Sequence, residues 1–189
     1  IYERSPGAGA SERLHKGRAR TLIVAAGVLE RPYVFRGNDL PGVMLSSAVR
    51  RLVVMHAAKP GRRAVVFTAN PDGDAAVECL EAAGVHVVRI DAREGTTVVR
   101  ARGRGRLRRV ELSDGRTLTA DLLVTATGWT SQSALLSMAG AELHFAPSLG
   151  RFVCTQTNRT DVVAVGGLAG DGSLREILDH AAEAGRAAA

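Results

Sequence analysis

The segment RAVVFTANPDGDAAVECLEAAGVHVVRID at residues 63–91 decides the fold of this chain. It opens with a short run of β-branched and aromatic residues that is typical of a buried strand. A loop with Pro and Gly leads into a stretch that places Val77, Leu80 and Ala83 on one helical stripe, and Gly84 ends this stretch before a second apolar run. The pattern predicts a strand–helix–strand unit, which is half of a Rossmann fold.

Further elements flank this unit on both sides. RTLIVAA at residues 20–26 and DLLVTATG at residues 121–128 are continuous apolar runs that are typical of buried parallel strands. Apolar positions at helical spacing over residues 45–56 indicate a connecting helix. Residues 96–119 alternate in polarity around an Asp-Gly turn, which predicts an antiparallel meander.

The last part of the chain predicts one more strand and one more helix. DVVAVGG at residues 161–167 indicates the strand. The following SLRE is a capping box, in which Ser173 and Glu176 satisfy free amides at the start of a helix. The apolar residues at helical spacing, which we expect to form its buried face, are Leu174, Ile177, Leu178 and Ala181.

The charge of the chain suggests a nucleic-acid ligand, but the pattern of the charges does not favour one. The formal net charge is +6 and the pI is about 10.3. The basic residues are almost all arginines spread along the chain, and we interpret the densest cluster, residues 100–109, as a solvated hairpin rather than a nucleic-acid surface. No apolar run approaches the roughly 18 residues of a membrane span. We therefore predict neither a nucleic-acid partner nor a membrane segment.

The residues that commonly bind metals or perform catalysis show no functional spacing. Cys79 and Cys154 match neither a zinc pair nor a redox CxxC motif, so dithiol chemistry is excluded. The five histidines show no metal-ligand spacing, and no Ser-His-Asp order or carboxylate pair is present. We predict no catalytic residue and no metal site, and the cysteine usage favours a cytoplasmic location.

Three strand ends carry the functional signal, because each closes on small residues. They are IVAAG at residues 23–27, VTATG at residues 124–128 and VAVGG at residues 163–167. Ligands of open parallel sheets bind beyond the carboxyl ends of strands, and small residues there let the backbone approach a cofactor. The predicted cofactor-binding residues are Ala26, Gly27, Gly128, Gly166 and Gly167.

Two longer stretches resemble a known family. These are AAGVLERPYVFRGNDLPGVMLSSAVRRL at residues 25–52 and PGRRAVVFTANPD at residues 60–72. They resemble the alpha subunits of heterotetrameric sarcosine oxidases, which belong to the flavoproteins with two dinucleotide domains. The resemblance implies an α/β, Rossmann-like, three-layer fold of the FAD/NAD(P)-binding type with a β-meander. It also implies that a second nucleotide domain, residues 51–124, is inserted into an incomplete first one, residues 1–50 and 125–189.

The same resemblance implies a function. The chain is expected to be an interior-to-C-terminal piece of an FAD/NAD-dependent amine oxidoreductase subunit and to be inactive alone. The intact subunit would hold FAD or NAD, while the amino-acid substrate binds a partner subunit of the complex. The alternative is a non-catalytic scaffold whose nucleotide folds serve only assembly.

Two departures from the family pattern concern the nucleotide sites. The closing motif of the family reads Gly-Asp, whereas Gly167 occupies the Asp position here, with Asp171 close by in sequence. In the second fold, Asn70, Pro71 and Asp72 stand where glycines would approach phosphate. We therefore expect this second fold to bind NAD poorly, and we interpret Asp91 as a strand-end cap rather than a ribose ligand.

Overall fold

Strands and helices alternate along the chain much as the sequence predicts. The computed structural model describes residues 2–4, 12–154 and 157–189. The helices in this part are α1 (Ser46–His56), α2 (Pro71–Ala82), α3 (Ala134–Met138) and α4 (Leu174–Ala188). The first strands are β1 (Tyr2–Arg4), β2 (Glu12–Leu14), β3 (Leu22–Val24), β4 (Val28–Glu30), β5 (Val43–Leu45), β6 (Arg63–Thr68) and β7 (His86–Asp91). The later strands are β8 (Val98–Arg102), β9 (Arg109–Leu112), β10 (Thr117–Thr119), β11 (Leu122–Ala126), β12 (Trp129–Ser131), β13 (His144–Ala146), β14 (Arg151–Val153) and β15 (Val162–Ala164).

Contacts within the chain divide it into two units. Unit 1 comprises Ile1–Gly27 and Ser131–Ala189, and unit 2 comprises Val28–Thr130. The predicted domain boundaries, after residues 50 and 124, fall inside α1 and β11. Both elements lie in unit 2, because β11 is hydrogen-bonded to β5 and β6 and α1 packs on the same sheet. That the two units are a first and a second dinucleotide domain stays a prediction.

A four-stranded parallel sheet in the order β5-β11-β6-β7 forms the centre of unit 2. Helix α2 connects β6 to β7, as the strand–helix–strand pattern predicts. Asn70 caps α2 by accepting a hydrogen bond from the Asp72 amide, and Pro71 takes the first helical position, where a missing amide costs nothing. The local sequence therefore begins this helix without tertiary help.

Successive residues of the central strands are buried on opposite faces of the sheet. The core on the helical face consists of Val49, Ala64, Val66, Ala76, Leu80, Val85, Leu122 and Val124. The core on the other face consists of Val65, Phe67, Ile90, Val98, Ala101, Leu107, Val110, Leu112, Ala120 and Leu123. Each fully buried Val, Leu or Phe contributes about 1.5–3 kcal/mol. Helices, sheet and meander form three layers, which confirms the predicted α/β class.

The meander that covers the second face is antiparallel in the order β10-β9-β8. Its inward side chains include Val98, Ala101 and Val110, while the arginines between them project outward. Arg102 stands directly opposite Arg109 in the β8–β9 register. Like charges in this position destabilise a strand pair. The hairpin therefore owes its stability to the apolar face beneath it.

Unit 1 is built around a parallel pair of strands, β3 and β15. A second pair, β13 and β14, is antiparallel, with Phe145 and Phe152 in edge-to-face contact at 5.4 Å between ring centroids. The buried core cluster of this unit consists of Val24, Leu136, Cys154, Val162, Ala164, Leu168 and Ala169. This core is small, and it lies directly beside the ends of β3 and β15.

Helix α4 confirms one prediction and corrects another. Its capping box is present, with Ser173 and Glu176 satisfying each other's backbone amides. The predicted buried face is wrong, because Leu174 and Leu178 are 72% and 59% exposed and the buried residue of the helix is Ala184. Helical periodicity reveals an apolar face but not whether another element covers it. In the described part of the chain, no helix has the length and hydropathy needed to cross a bilayer.

Gly73, in the first turn of α2, provides a test of how closely this helix must approach β6. An added Cβ would lie 2.0 Å from the Thr68 Oγ1 and 2.2 Å from its Cβ. Thr68 is fully buried and β-branched, so it has no room to move. We expect Gly73→Ala to lower the free energy of unfolding by about 1–3 kcal/mol in urea titrations.

The matched control is Gly185→Ala in α4, where an added Cβ meets no atom of the described residues within 4 Å. Removing this helical glycine should leave the stability unchanged or raise it by up to about 1 kcal/mol. Equal stability of the two variants would show that the close contact of α2 with β6 does not require glycine.

Candidate dinucleotide site

The edge of unit 1 at which β3 and β15 end gathers four of the five predicted site residues. Leu22 pairs with Val162 and Val24 pairs with Ala164 in a parallel register, so both strands end at the same edge. Ala26 and Gly27 follow β3, and Gly166 and Gly167 follow β15. A parallel pair that ends in small residues provides the location at which open α/β sheets bind dinucleotides.

The backbone at this edge leaves room for a ligand. Gly27 has φ +68° and Gly166 has φ +79°, a left-handed conformation that favours glycine. A Cβ added at Gly27 would meet no atom of the described residues within 4 Å. At Gly166, the one described side chain that it would meet is Ile177, at 3.9 Å. The residues present therefore fit a dinucleotide whose backbone-facing part lies against these glycines.

Asp171 shapes the turn after β15. Its carboxylate accepts a hydrogen bond from the Gly166 amide at 2.8 Å and lies 3.0 Å from the His180 Nδ1. In the sequence, Asp171 lies four residues after Gly167, which occupies the Asp position of the family's closing Gly-Asp motif. In the structure it closes the loop of residues 166–171, so it acts on the site through the shape of this loop.

Arg151 is a residue at this edge that the sequence does not reveal. It begins β14, and its Nη2 donates a hydrogen bond to the Gly167 carbonyl at 3.0 Å. The buried Nε has no hydrogen-bond partner in the described part of the chain. Desolvation by burial lowers the pKa of the guanidinium from its ordinary value. One arginine in a chain rich in arginine gives no sequence signal of this position.

The fifth predicted residue, Gly128, lies in unit 2, whereas the other four lie in unit 1. Its carbonyl accepts a hydrogen bond from the Arg31 amide at 2.8 Å. A Cβ added there would lie 3.2 Å from the Arg31 guanidinium. Its role as a cofactor-binding residue stays a prediction.

At the carboxyl end of β6, the loop before α2 preserves one glycine of a dinucleotide fingerprint. In the spacing G-x-G-x-x-G, the positions fall on Thr68, Asn70 and Gly73. The third glycine serves helix–strand packing, and Gly73 packs directly against Thr68. The first two approach the pyrophosphate, and here both carry side chains. The packing glycine is thus kept while the phosphate-facing positions are filled.

The backbone amides of this loop are satisfied within the protein. Thr68 Oγ1 accepts a hydrogen bond from the Asn70 amide, and the Asn70 side chain accepts one from the Asp72 amide. The Asp72 carboxylate accepts a hydrogen bond from the Trp129 Nε1 at 2.7 Å and lies 3.9 Å from the Arg50 guanidinium. A phosphate would have to displace these groups and approach a negative charge.

Asp91, at the end of β7, confirms its interpretation as a cap. Its carboxylate accepts a hydrogen bond from the Arg93 amide and begins the short 3₁₀ helix Ala92–Glu94. It also pairs with the guanidinium groups of Arg93 at 2.6 Å and Arg89 at 2.7 Å. The hydrogen bonds from Arg93 and Arg89 outweigh desolvation and hold the pKa of Asp91 well below its ordinary range.

Unit 2 also contains an apolar cavity beside the loop of residues 68–73, with a volume of about 460 Å³. Its lining residues are Arg31, Pro32, Tyr33, Val34, Phe67, Ala69, Ala92, Thr97 and Thr127. Tyr33 contacts Phe67 with a ring-centroid distance of 4.9 Å. The cavity combines an aromatic wall with a single guanidinium.

Comparison with known proteins identifies the family. A family model described as pyridine nucleotide-disulphide oxidoreductase matches residues 73–188, which is more than half of the chain. The chain belongs to this family. The match covers the meander, β11 and the glycines after β15, and it confirms the predicted FAD/NAD(P)-binding type of fold.

Relatives with curated names confirm the resemblance found in the sequence. The sarcosine oxidase subunit alpha of Rhizobium meliloti (strain 1021) is 43% identical over 96 residues, which are 51% of this chain and 10% of that protein. Sarcosine oxidase subunit alpha of Corynebacterium sp. (strain P-1) is 35% identical over 162 residues, which are 85% of this chain and 16% of that protein. The chain thus spans a small part of the length of these relatives.

Solved structures confirm the fold. The L-proline dehydrogenase of P. horikoshii has a TM-score of 0.67 at 21% identity, with 78% of this chain and 30% of that chain covered. The thioredoxin reductase of T. acidophilum has a TM-score of 0.61 at 15% identity, with 95% of this chain and 67% of that chain covered.

The closed loop of residues 68–73 predicts weak nucleotide binding by unit 2. In calorimetric titrations of the chain with NAD and NADH, we expect no binding to unit 2 tighter than about 1 mM. The reason is that phosphate finds no free amide in this loop and meets Asp72. Low-micromolar binding that Asp91→Ala abolishes would contradict this interpretation.

The ion pairs of Asp91 predict a pH-dependent contribution to stability. A carboxyl whose pKa is lowered by folding stabilises the protein above its unfolded pKa of about 3.9, and this contribution fades as the pH falls below that value. We expect Asp91→Asn to be less stable than the wild type at pH 7, and the difference to shrink below about pH 4. Urea midpoints at both pH values would measure this, and a pH-independent difference would refute it.

Proposed function

We propose that the chain is part of an FAD/NAD-dependent oxidoreductase subunit, in a complex that oxidises a secondary amino acid. It supplies dinucleotide binding and subunit contacts. The observation that carries this proposal is the convergence of Ala26, Gly27, Gly166 and Gly167 at one edge of a parallel strand pair. The family match and the named relatives support FAD or NAD as the cofactor of the intact subunit.

The substrate class is supported by the names of the relatives. Both are alpha subunits of sarcosine oxidase, and sarcosine is a secondary amino acid. The described part of unit 1 presents small residues and Arg151 at the dinucleotide edge, which suit cofactor binding, and the Asp171–His180 pair holds the adjacent loop through the Gly166 amide. We therefore assign the amine oxidation to a partner subunit. We also propose a cytoplasmic location, as the cysteine usage predicts.

A bound FAD or NAD supplies hydride and electron chemistry, and the residues of this chain hold it. Gly27 and Gly166 admit the cofactor to the backbone, because neither carries a side chain into the space beside the strand ends. Asp171 fixes the shape of the loop through the Gly166 amide. The protein thus contributes position and electrostatics.

The exposed arginines of the β8–β9 hairpin support a role in subunit contacts. Arg104, Arg106, Arg108 and Arg109 are exposed, and the structure records no ion pair for them within the described residues. Glu111 pairs with Arg102, so one carboxylate of β9 offsets a single charge of this surface. An acidic face of a partner subunit would neutralise the remaining charges. The scarcity of aromatic residues in the hairpin favours protein over nucleic acid.

A non-catalytic scaffold remains the alternative, and one observation favours it for unit 2. The loop of residues 68–73 keeps the glycine that packing requires, while side chains fill the positions that face phosphate. This is the pattern of a nucleotide fold that is retained for its structure. The two functions differ in whether the intact subunit contains a dinucleotide.

The test is the dinucleotide content of the full-length subunit. We expect denaturation to release FAD or NAD close to one per subunit, and Gly27→Val to reduce this content because its side chain fills the space at the strand ends. Gly95→Val is the matched control, since Gly95 has φ +86° and open space around an added Cβ but lies in unit 2. A wild-type subunit without dinucleotide would favour the scaffold.

A further inference from the structure

The guanidinium of Arg151 is held in a fixed position at the dinucleotide edge of unit 1. Its Nη2 donates to the Gly167 carbonyl at 3.0 Å. Strand β14 runs beside the same loop, because the Cys154 amide donates to the Leu168 carbonyl at 3.1 Å, and a Cβ added at Gly170 would lie 3.7 Å from the Val153 side chain. Arg151 is therefore attached to the loop that carries Gly166 and Gly167, and its head group faces this loop rather than open solvent.

The charge of Arg151 has no counter-ion within the protein as far as the structure describes it. The guanidinium forms no ion pair within 4 Å with a described carboxylate, unlike Arg159, which pairs with Asp161 at 2.6 Å. The carboxylate of the adjacent loop, Asp171, is engaged by the Gly166 amide and His180. A partly buried cation without a counter-ion is costly, because its desolvation is not repaid by a partner.

The buried Nε adds a second, independent observation. This atom is inaccessible to solvent and has no hydrogen-bond partner among the described residues. A buried donor without an acceptor loses its hydrogen bonds to water without replacing them, so most proteins avoid such groups. An unpaired charge and an unpaired donor on the same side chain show that the described residues alone do not satisfy this guanidinium.

We propose that Arg151 binds a phosphate of the dinucleotide held at the edge formed by Ala26, Gly27, Gly166 and Gly167. This inference rests on the proposed function and names the residue that recognises the anionic part of the cofactor. A guanidinium is suited to the role because its planar donors match two oxygens of a phosphate. The bond from Nη2 to Gly167 leaves the second Nη2 hydrogen and the other Nη for the ligand and fixes the orientation of the guanidinium.

The experiment uses the full-length subunit freed of bound nucleotide and titrated by calorimetry with FAD and, separately, with NAD. The titration that shows binding identifies whether FAD or NAD is the dinucleotide whose phosphate Arg151 contacts. We expect Arg151→Met to weaken that binding about 10- to 100-fold, and Arg151→Lys to weaken it less, because lysine keeps the charge but loses the planar fork. The matched control is Arg175→Met, whose guanidinium is 92% exposed on α4 and should have no effect.

A thermal melt without nucleotide separates ligand binding from a structural role. If Arg151 serves the ligand, Arg151→Met removes an unpaired charge, and the melting temperature of the nucleotide-free subunit stays the same or rises. A lower melting temperature combined with weaker binding would show a structural role and overturn the inference. Unchanged binding by Arg151→Met would overturn it while leaving the proposed function intact. A wild-type subunit that binds neither FAD nor NAD would overturn both.

Discussion

The hydrogen bonding of β11 to both β5 and β6 is the constraint on which unit 2 depends. β11 is buried along its whole length, so both faces of the sheet need an apolar cover. Helices α1 and α2 cover one face, and the meander covers the other. This requirement explains why the meander tolerates Arg102 opposite Arg109, since the burial of Val110 and its neighbours offsets the repulsion. It also explains why unit 2 extends beyond the boundaries that the family resemblance implies.

Much of the fold could be predicted because its signals are local. The alternation from β6 through α2 to β7, the Asp-Gly turn of the meander and the capping box at Ser173 each lie within a few residues of sequence. Which strands pair with each other could not be predicted in this way, because strand pairing has no local signal. β3 pairs with β15 from the other end of the chain, and β11 joins the sheet of unit 2 instead of resuming another domain. Apolar runs of similar composition do not reveal which strand lies next to which in the sheet.

The candidate site divides in the same way. The pattern of small residues after apolar strands predicts Gly27 and Gly166 as cofactor-binding residues, because a glycine acts there through its backbone alone. Arg151 could not be predicted, because its significance depends on burial, on the Gly167 carbonyl and on the lack of a described counter-ion. The role of Asp171 also depends on tertiary geometry, since its carboxylate reaches back to the Gly166 amide. The exposed Leu174 shows the converse error, in which periodicity overstates burial.

The two strand ends, one in each unit, show how packing and binding constrain glycine separately. Gly73 faces Thr68 so closely that any side chain would collide, and this requirement holds whether or not a nucleotide binds. Thr68 and Asn70 occupy positions where glycine would serve a phosphate alone, and there the side chains satisfy the loop amides instead. At Gly27, by contrast, the space beside the backbone is open and no packing demands a glycine. An open left-handed glycine is compatible with any turn, so the proposed cofactor role of Gly27 rests on its place after β3, at the edge where β15 also ends.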